Sequence, residues 1–288
     1  MPFVGVLPER RHLFQPEPLR DVPVSDAAAW RLNPRHRQIY DKLRLALDAG
    51  LTAAPCGVAP TDLGLAPDTE VFVKPIVNLA GMGLNARPAR ADSVPMEPGS
   101  FWCERLVGAH TSSDCLVQAG EPRWFAHTRG SDEKDASRSI YWEVGAELPD
   151  AEAWIADWVR RNLAGYTGIC NIELIGGRPI EAHLRGSNGF FDLYGPDFIP
   201  AWVALADGQG FSPPPPIQGG YVISVFGEAD LSGEVLRAAE AAGVKVQPDP
   251  STPGRAAILR CRERDAGFDI YRCLTGRTID LIPKHATR

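Results

Sequence analysis

The 288-residue chain contains no apolar run approaching the ~20 residues that cross a bilayer. Its opening, Met-Pro-Phe-Val followed by Glu9, Arg10 and Arg11, lacks the apolar core of a secretion signal. No cysteine belongs to a C-x-x-C pair: Cys56, Cys103, Cys115, Cys170, Cys261 and Cys273 are scattered. That spacing indicates neither a zinc knuckle nor a disulfide framework and fits buried thiols packed as small hydrophobes. Positive charge is scarce as well. Thirty Lys and Arg against 36 Asp and Glu give a formal charge of -6, which argues against nucleic acid or an anionic membrane as partner. A small anionic ligand needs only a few local cations. No internal repeat is present, and these absences describe a cytoplasmic protein. With 44% hydrophobic and 23% charged residues, the length suffices for one large or two modest cores.

Residues 1–35 are rich in Pro and Arg and lack a sustained period, so they read as a loop-rich arm with one short strand near Phe3 to Val6. From Arg35 to Ala49, Ile39, Tyr40, Leu43 and Leu47 follow helical spacing, with Gly50 placed to cap the end. Strands are predicted at Glu70 to Ile76, Ser100 to Val107, Thr111 to Gln118 and Pro122 to Thr128, then a polar surface loop from Arg129 to Arg138. Asp150 is predicted to cap a helix with Trp154, Ile155, Trp158, Val159 and Leu163 on its apolar face. Strands Thr167 to Ile175 and Pro179 to Leu184 follow around Gly176-Gly177. The segment 208–220, with four consecutive prolines, is the best linker. Beyond it come a strand Tyr221 to Phe226, a helix Leu231 to Ala242, and strands at Val244 to Val246, Ala256 to Arg262 and near Phe268 to Cys273. The domains expected are an arm (1–35), a core (36–207), and a linker with a small α/β unit (208–288).

Chemistry concentrates in the hairpin from Asn171 to Arg185. Asn171 and Glu173 on one strand, and Glu181 and His183 on the other, occupy alternate positions, so each pair shares one face of its strand. Glu173 lies opposite Glu181 only if the turn is centred on Gly177, which predicts a three-residue loop, Gly176 to Arg178. A two-residue Gly-Gly turn would send the acids to opposite faces. Facing carboxylates repel unless a cation lies between them, and Mg²⁺ is the natural candidate. The plain alternative is a solvated hairpin face.

Lys74, at a strand end, can bury its stem while its ammonium reaches a phosphate. The loop after it, including Ala80, Gly81 and Gly83, lets backbone N–H groups approach phosphate oxygens. An exposed Lys beside a surface turn is the alternative. Glu104 precedes the apolar pair Leu106 and Val107, a grouping that can take the polar edges and the faces of a nucleotide ring. Arg123, His127, Arg129 and the Gly186-Ser-Asn-Gly-Phe-Phe loop are candidates for an acceptor pocket.

Read in order, Asp41-Lys42, Ala49-Gly50-Leu-Thr-Ala-Ala-Pro55, Val73-Lys74-Pro75, Trp102-Cys-Glu104-Arg-Leu-Val-Gly108, Ile172-Glu173-Leu and Ile180-Glu181-Ala-His183-Leu-Arg185 resemble the ATP-grasp superfamily over roughly residues 38–195. The resemblance implies an α+β, two-lobed core with antiparallel sheets, followed by the small α/β C-terminal domain. It implies that Lys42 and Lys74 contact ATP phosphates and that the loop Ala80 to Gly83 closes over them. Glu104 would bind the adenosine end and His110 the ribose. Glu173 and Glu181 would hold Mg²⁺, and Arg185 would steady the phosphate being transferred, making Arg185 and Lys74 the catalytic pair.

One departure stands out. The family usually has Glu-x-Asn where this chain has Glu181-Ala182-His183, and imidazole suits Mn²⁺ or Zn²⁺ better than Mg²⁺. His183 therefore ligates a different metal, contacts phosphate or substrate, or marks a site that binds without catalysis. The customary N-terminal α/β domain is missing or reduced to residues 1–35. The function implied is an ATP-dependent ligase that joins a small-molecule carboxylate to an amine or other nucleophile through an acylphosphate. The alternatives are an inactive nucleotide-binding accessory protein of the same descent and an unrelated scaffold. A homodimer is compatible with either nucleotide-binding reading.

Overall fold

The computed structural model describes residues 2–80, 83–132, 134–135, 138–249 and 254–277. In the arm, β1 (Phe3–Val4) pairs in parallel with β2 (Val22–Pro23), and helix α1 (Asp26–Leu32) follows, its first turn capped by the Ser25 hydroxyl. The arm is thus more ordered than its composition suggests. The helix expected over 35–49 divides into a 3₁₀ segment (Pro34–Tyr40) and α2 (Lys42–Asp48), because Asp41 breaks the run and caps the second piece by accepting from the Arg44 N–H.

The smaller lobe is a four-stranded antiparallel sheet of β3 (Ala53–Pro55), β4 (Glu70–Pro75), β5 (Arg87–Arg90) and β6 (Ser100–Glu104), in the order β3-β6-β4-β5. Alternation along β4 and β6 gives it two cores, one built on Phe101 and Cys103 under α2, the other on Val71, Val73 and Trp102.

The larger lobe comprises β7 (His110–Gln118), β8 (Glu121–Gly130), a short ribbon of β9 (Lys134–Asp135) and β10 (Arg138–Ser139), β11 (Tyr141–Val144), α3 (Pro149–Asn162), β12 (Gly168–Ile175), β13 (Arg178–His183), α4 (Phe198–Ala206), β14 (Gly220–Phe226), α5 (Gly233–Ala241), β15 (Lys245–Pro248), β16 (Arg255–Cys261) and α6 (Arg264–Thr275). The stretch predicted as a loop from Arg129 to Arg138 therefore includes the end of β8 and most of a ribbon. Helix α3 begins at Pro149 with Leu148 at the capping position, so Asp150 lies inside its first turn, where a carboxylate favours the positive end of the helix. The segment near Phe268 to Cys273 is helical. Its buried residues Phe268, Ile270, Tyr271 and Leu274 line one face of α6 over about two turns, a period visible only when Leu274 is included.

Eight strands form one antiparallel sheet in the order β13-β12-β7-β8-β11-β14-β16-β15. Strand β14 pairs with β11, so the sheet runs on without interruption across the boundary expected near residue 208. Helix α3 covers one face around Cys170, Ile172 and Leu174, and α5 and α6 cover its far end. On the other face α4 and the arm bury Phe14, Phe198 and Trp202 against Leu116, Ala126 and Val222. Each of these large side chains contributes roughly 1.5–3 kcal/mol by leaving water. That second face turns polar toward β13, and the polar end carries the site.

Candidate functional site

Gly176 and Gly177 join β12 to β13 with φ of 56° and 76°. Two successive left-handed residues make the tight two-residue turn whose twist matches a hairpin, so the three-residue loop expected from the polar pattern is not formed. Ile175 pairs with Arg178 and Leu174 with Pro179, yet Glu173 pairs with Glu181 and Asn171 with His183. One extra residue, Ile180, bulges from β13 and restores the register that the turn alone would have lost. Pro179 supplies the reason: it has no N–H for the ladder, and it sits on an edge strand where that loss is tolerated.

The bulge brings Glu173, Glu181 and His183 together, with one ligand atom from each within 4.8 Å of the others. His183 Nδ1 lies 2.9 Å from Asp26 Oδ1, so Nε2 is the nitrogen facing Glu181 Oε2, at 3.6 Å. Two carboxylates and an inward imidazole nitrogen form a donor set that fits a divalent cation. Burial would raise the Glu173 carboxyl. The hydrogen bond and charge of His110, backed by His183 and Arg185, instead bring it down to about 2.

From the smaller lobe come two lysines. Lys42, 6% exposed at the start of α2, places its ammonium 2.6 Å from Glu181 Oε2. Lys74, at the end of β4, donates to the Ile180 carbonyl at 3.0 Å and lies 5.5 Å from the Phe101 ring centroid, within cation–π range. Burial, with repulsion from Lys42, lowers its pKa. Both cations thus reach across the lobes to the acidic hairpin.

The remaining candidates divide. His110 donates or accepts at Glu173 Oε2, 3.1 Å away, and packs edge-on against Trp142, so its imidazole stands at the acidic hairpin. Glu104 accepts from the Thr52 N–H at 3.1 Å, tying β6 to the start of β3. Leu106 packs toward the smaller lobe's core, whereas Val107 is 77% exposed, so the two do not form matching walls. Ala80 is exposed, its N–H bonded to the Asn78 side chain, and Gly83 has φ of 59°; Gly81 lies outside the described residues. Strand alternation puts His127 and Arg129 on the face of β8 opposite to Glu173, because Thr128 is the residue level with Ser112 and Ser112 with Glu173. His127 instead links Ser113 to Glu152.

Three residues outside the sequence candidates complete the cluster. Asp26, 6% exposed at the start of α1, holds His183 through one oxygen and Arg185 through the other, with Arg185 Nε and Nη2 at 3.1 and 3.0 Å. Burial works to raise its carboxyl, but His183 and Arg185 prevail and bring it to about 2. Asp114, 1% exposed, accepts from Asn171, from the Ser187 N–H and from the Tyr194 hydroxyl, fixing the loop after Arg185. Burial still dominates and pushes its carboxyl up to about 6. Tyr40 accepts the Leu184 N–H at 3.1 Å. For Asp26 the available signal is Ser25-Asp-Ala-Ala-Ala, a helix start; nothing near Asp114 marks it.

No family model matches the chain, and no curated protein does. The backbone is more informative. A phosphoribosylamine–glycine ligase from Thermotoga maritima superposes with a TM-score of 0.59 at 12% identity, covering 88% of this chain and 82% of that one. An N5-carboxyaminoimidazole ribonucleotide synthetase from Thermus thermophilus gives 0.58 at 14% identity, covering 90% and 80%. An L-amino acid ligase from Bacillus licheniformis gives 0.56 at 15%, covering 86% and 74%. This is the ATP-grasp fold. In ATP-grasp terms the two sheets are the lobes, and the cluster of Lys42, Lys74, Glu173 and Glu181 lies where they meet. Among the described residues no helix is long and apolar enough to cross a membrane.

Proposed function

We propose that the protein is an ATP-dependent ligase that activates a carboxylate as its acylphosphate and passes the acyl group to an amine or similar nucleophile. The observation that supports this most is the convergence of two cations from one lobe on a paired-carboxylate hairpin of the other, bridged by Lys42–Glu181 at 2.6 Å and Lys74–Ile180 at 3.0 Å. Polyphosphate entering between the lobes offers the Lys74 ammonium, now on a neutral carbonyl, a charge-assisted partner.

In this reading Lys42 and Lys74 hold the phosphates, and the loop through Ala80 and Gly83 covers them. The hinge at Glu104 to Val107 receives the adenosine end. Glu173, Glu181 and His183 hold a divalent cation, which when bound neutralises charge on the transferring phosphoryl group. Arg185, oriented by Asp26, faces the same group. A carboxylate oxygen bonds to the γ-phosphorus as the bond to ADP breaks. The nucleophile then attacks the acyl carbon, loses a proton, and expels inorganic phosphate. We also assign the C-terminal segment 217–288 the role of acceptor platform. Arg260 and Lys245 from β16 and β15 grip Asp192, and Arg260 donates to the Gly189 carbonyl, both in the loop beyond Arg185.

A pooled assay tests the reaction class: ADP release in the presence of ATP, Mg²⁺ or Mn²⁺, and mixtures of small carboxylates and amino acids. Stimulated ADP release that disappears in Glu181→Gln supports a ligase. ATP binding by calorimetry without any stimulation favours a nucleotide-binding accessory role, a reading that the imidazole at position 183 keeps in view. Absence of nucleotide binding with every metal would remove both.

A further inference from the structure

We propose that Asp26 is a positioning residue that sets His183 as a nitrogen donor to the site's divalent cation while holding Arg185 toward the phosphate. The arm thereby makes the site selective for Mn²⁺-like ions over Mg²⁺. This rests on the metal-nucleotide reading above and adds the residue through which the arm enters it.

The contact with Asp26 fixes where the proton sits on His183. Asp26 is an ionised carboxylate and can only accept, so the imidazole must donate from Nδ1 across the 2.9 Å contact. In a neutral ring Nε2 then carries the lone pair, and Nε2 is the atom facing Glu181 Oε2 at 3.6 Å. A nitrogen lone pair and a carboxylate oxygen turned toward each other can both ligate one cation, beside the Lys42 ammonium that lies 2.6 Å from the same oxygen. A carboxylate behind a ligating histidine fixes its tautomer, orients the ring and raises its basicity. The ring has little freedom otherwise: His183 is 2% exposed and edge-on to Tyr40, whose hydroxyl accepts the next residue's N–H.

The second oxygen of Asp26 takes Arg185 Nε and Nη2 at 3.1 and 3.0 Å. His183 and Arg185 are two positions apart on the same chain segment, and one buried carboxylate fixes both. The metal donor and the phosphate-directed guanidinium are thereby set at one spacing. The consequence for the ion follows from ligand chemistry. Two carboxylates and an imidazole favour Mn²⁺ or another nitrogen-tolerant ion, whereas oxygen-only sets suit Mg²⁺.

The test measures Mn²⁺ binding to the full chain, with and without ATP, from the loss of the free aquo-ion signal in electron paramagnetic resonance, with Mg²⁺ as competitor. Asp26→Asn keeps the side-chain volume and an acceptor oxygen while removing the charge. It is expected to weaken Mn²⁺ binding about 10-fold, the low end of effects for such outer residues. In a His183→Asn background the same change is expected to do nothing, and Mg²⁺ should compete better than in the native protein. Electron spin-echo modulation should show a histidine nitrogen on Mn²⁺ in the native protein and none in His183→Asn. An Asp26→Asn loss of equal size in both backgrounds would mean that Asp26 only supports the fold and would overturn the proposal. So would Mn²⁺ binding with no nitrogen coupling. If the native chain binds ATP but no Mn²⁺ at all, the metal site itself falls; if it binds neither, the nucleotide reading falls with it.

Discussion

Lys74 and Ile180 meet across the lobes, the ammonium donating at 3.0 Å to the carbonyl of the one residue that the β-bulge adds to β13. The bulge both aligns the acids and presents the carbonyl that holds the lysine. A 9% exposed ammonium in this position carries a desolvation cost that a thioether of similar shape does not. Lys74→Met is therefore expected to leave the melting temperature within a few degrees of native. It should weaken ATP binding about 10- to 100-fold, as the loss of a charge-assisted phosphate contact implies. Calorimetry beside thermal melting checks this, and undiminished ATP affinity would count against Lys74 as a phosphate ligand.

The two turn glycines are not equivalent. A Cβ on Gly176 would meet the Val107 carbonyl at 2.2 Å, whereas one on Gly177 meets nothing within 4 Å. Both adopt left-handed φ, so Gly177→Ala should cost about 1 kcal/mol from backbone strain alone. Gly176→Ala must also displace the Val107 backbone between β6 and β7 and is expected to cost at least twice as much and to lower nucleotide affinity. Denaturant unfolding of both variants, with ATP titrations, separates strain from displacement.

Asp114 predicts an unusual pH dependence. Its carboxyl is raised by burial to about 6, against an ordinary value of 3.8. Between those values the folded protein holds a proton that the unfolded chain has released. Stability from this group is therefore greatest at or below pH 3.8, declines as pH rises through the window, and is level above 6, a change on the order of 3 kcal/mol. Asp26 and Glu173, both lowered to about 2, act oppositely: their contribution is present above about pH 4 and is lost toward 2. Subtracting the urea stability of Asp114→Asn from that of the native protein across pH 4 to 7 should isolate the decline, and a flat difference would refute it.

Asp192 is a single acceptor for three cations: Arg10 at 2.5 Å, Lys245 at 2.8 Å and Arg260 at 3.1 Å. Arg10 and Arg260 are each only 3% exposed in their side chains, so little water can replace the carboxylate. Asp192→Ala is expected to cost about 3–5 kcal/mol, the usual result of leaving buried charge unpaired. At roughly 2–4 °C per kcal/mol for a chain of this size, the fall in melting temperature is on the order of 10 °C. A fall of only a degree or two would contradict that cost.

Strand alternation makes most of the two sheets legible in the sequence, and which face of its own strand each of Glu173 and Glu181 takes can be read from spacing. The turn cannot, because the bulge makes a two-residue Gly-Gly turn and the polar register compatible, and only Pro179 hints at it. Helix α6 resembles a strand over Phe268 to Cys273 because its aromatic and β-branched residues mimic strand composition over so short a window. Helix α4 and helix α1 are additions to the expected elements, and α1 matters more because it carries Asp26. No local pattern can reveal that Asp26 meets His183 and Arg185, since that pairing is set by tertiary packing.

The arm's contacts are also among the most distant in sequence. Asp26 is synthesised 157 residues before His183, and Arg10 precedes its partner Gln247 by 237. The smaller lobe, by contrast, closes its four strands within residues 53–104. Closing long loops carries an entropy cost that only long-range contacts repay, so the cluster at Asp26 costs more to close than the smaller lobe. The arm's contact with His183 and the grip of Lys42 and Lys74 on Glu181 and Ile180 therefore all wait on one strand, β13.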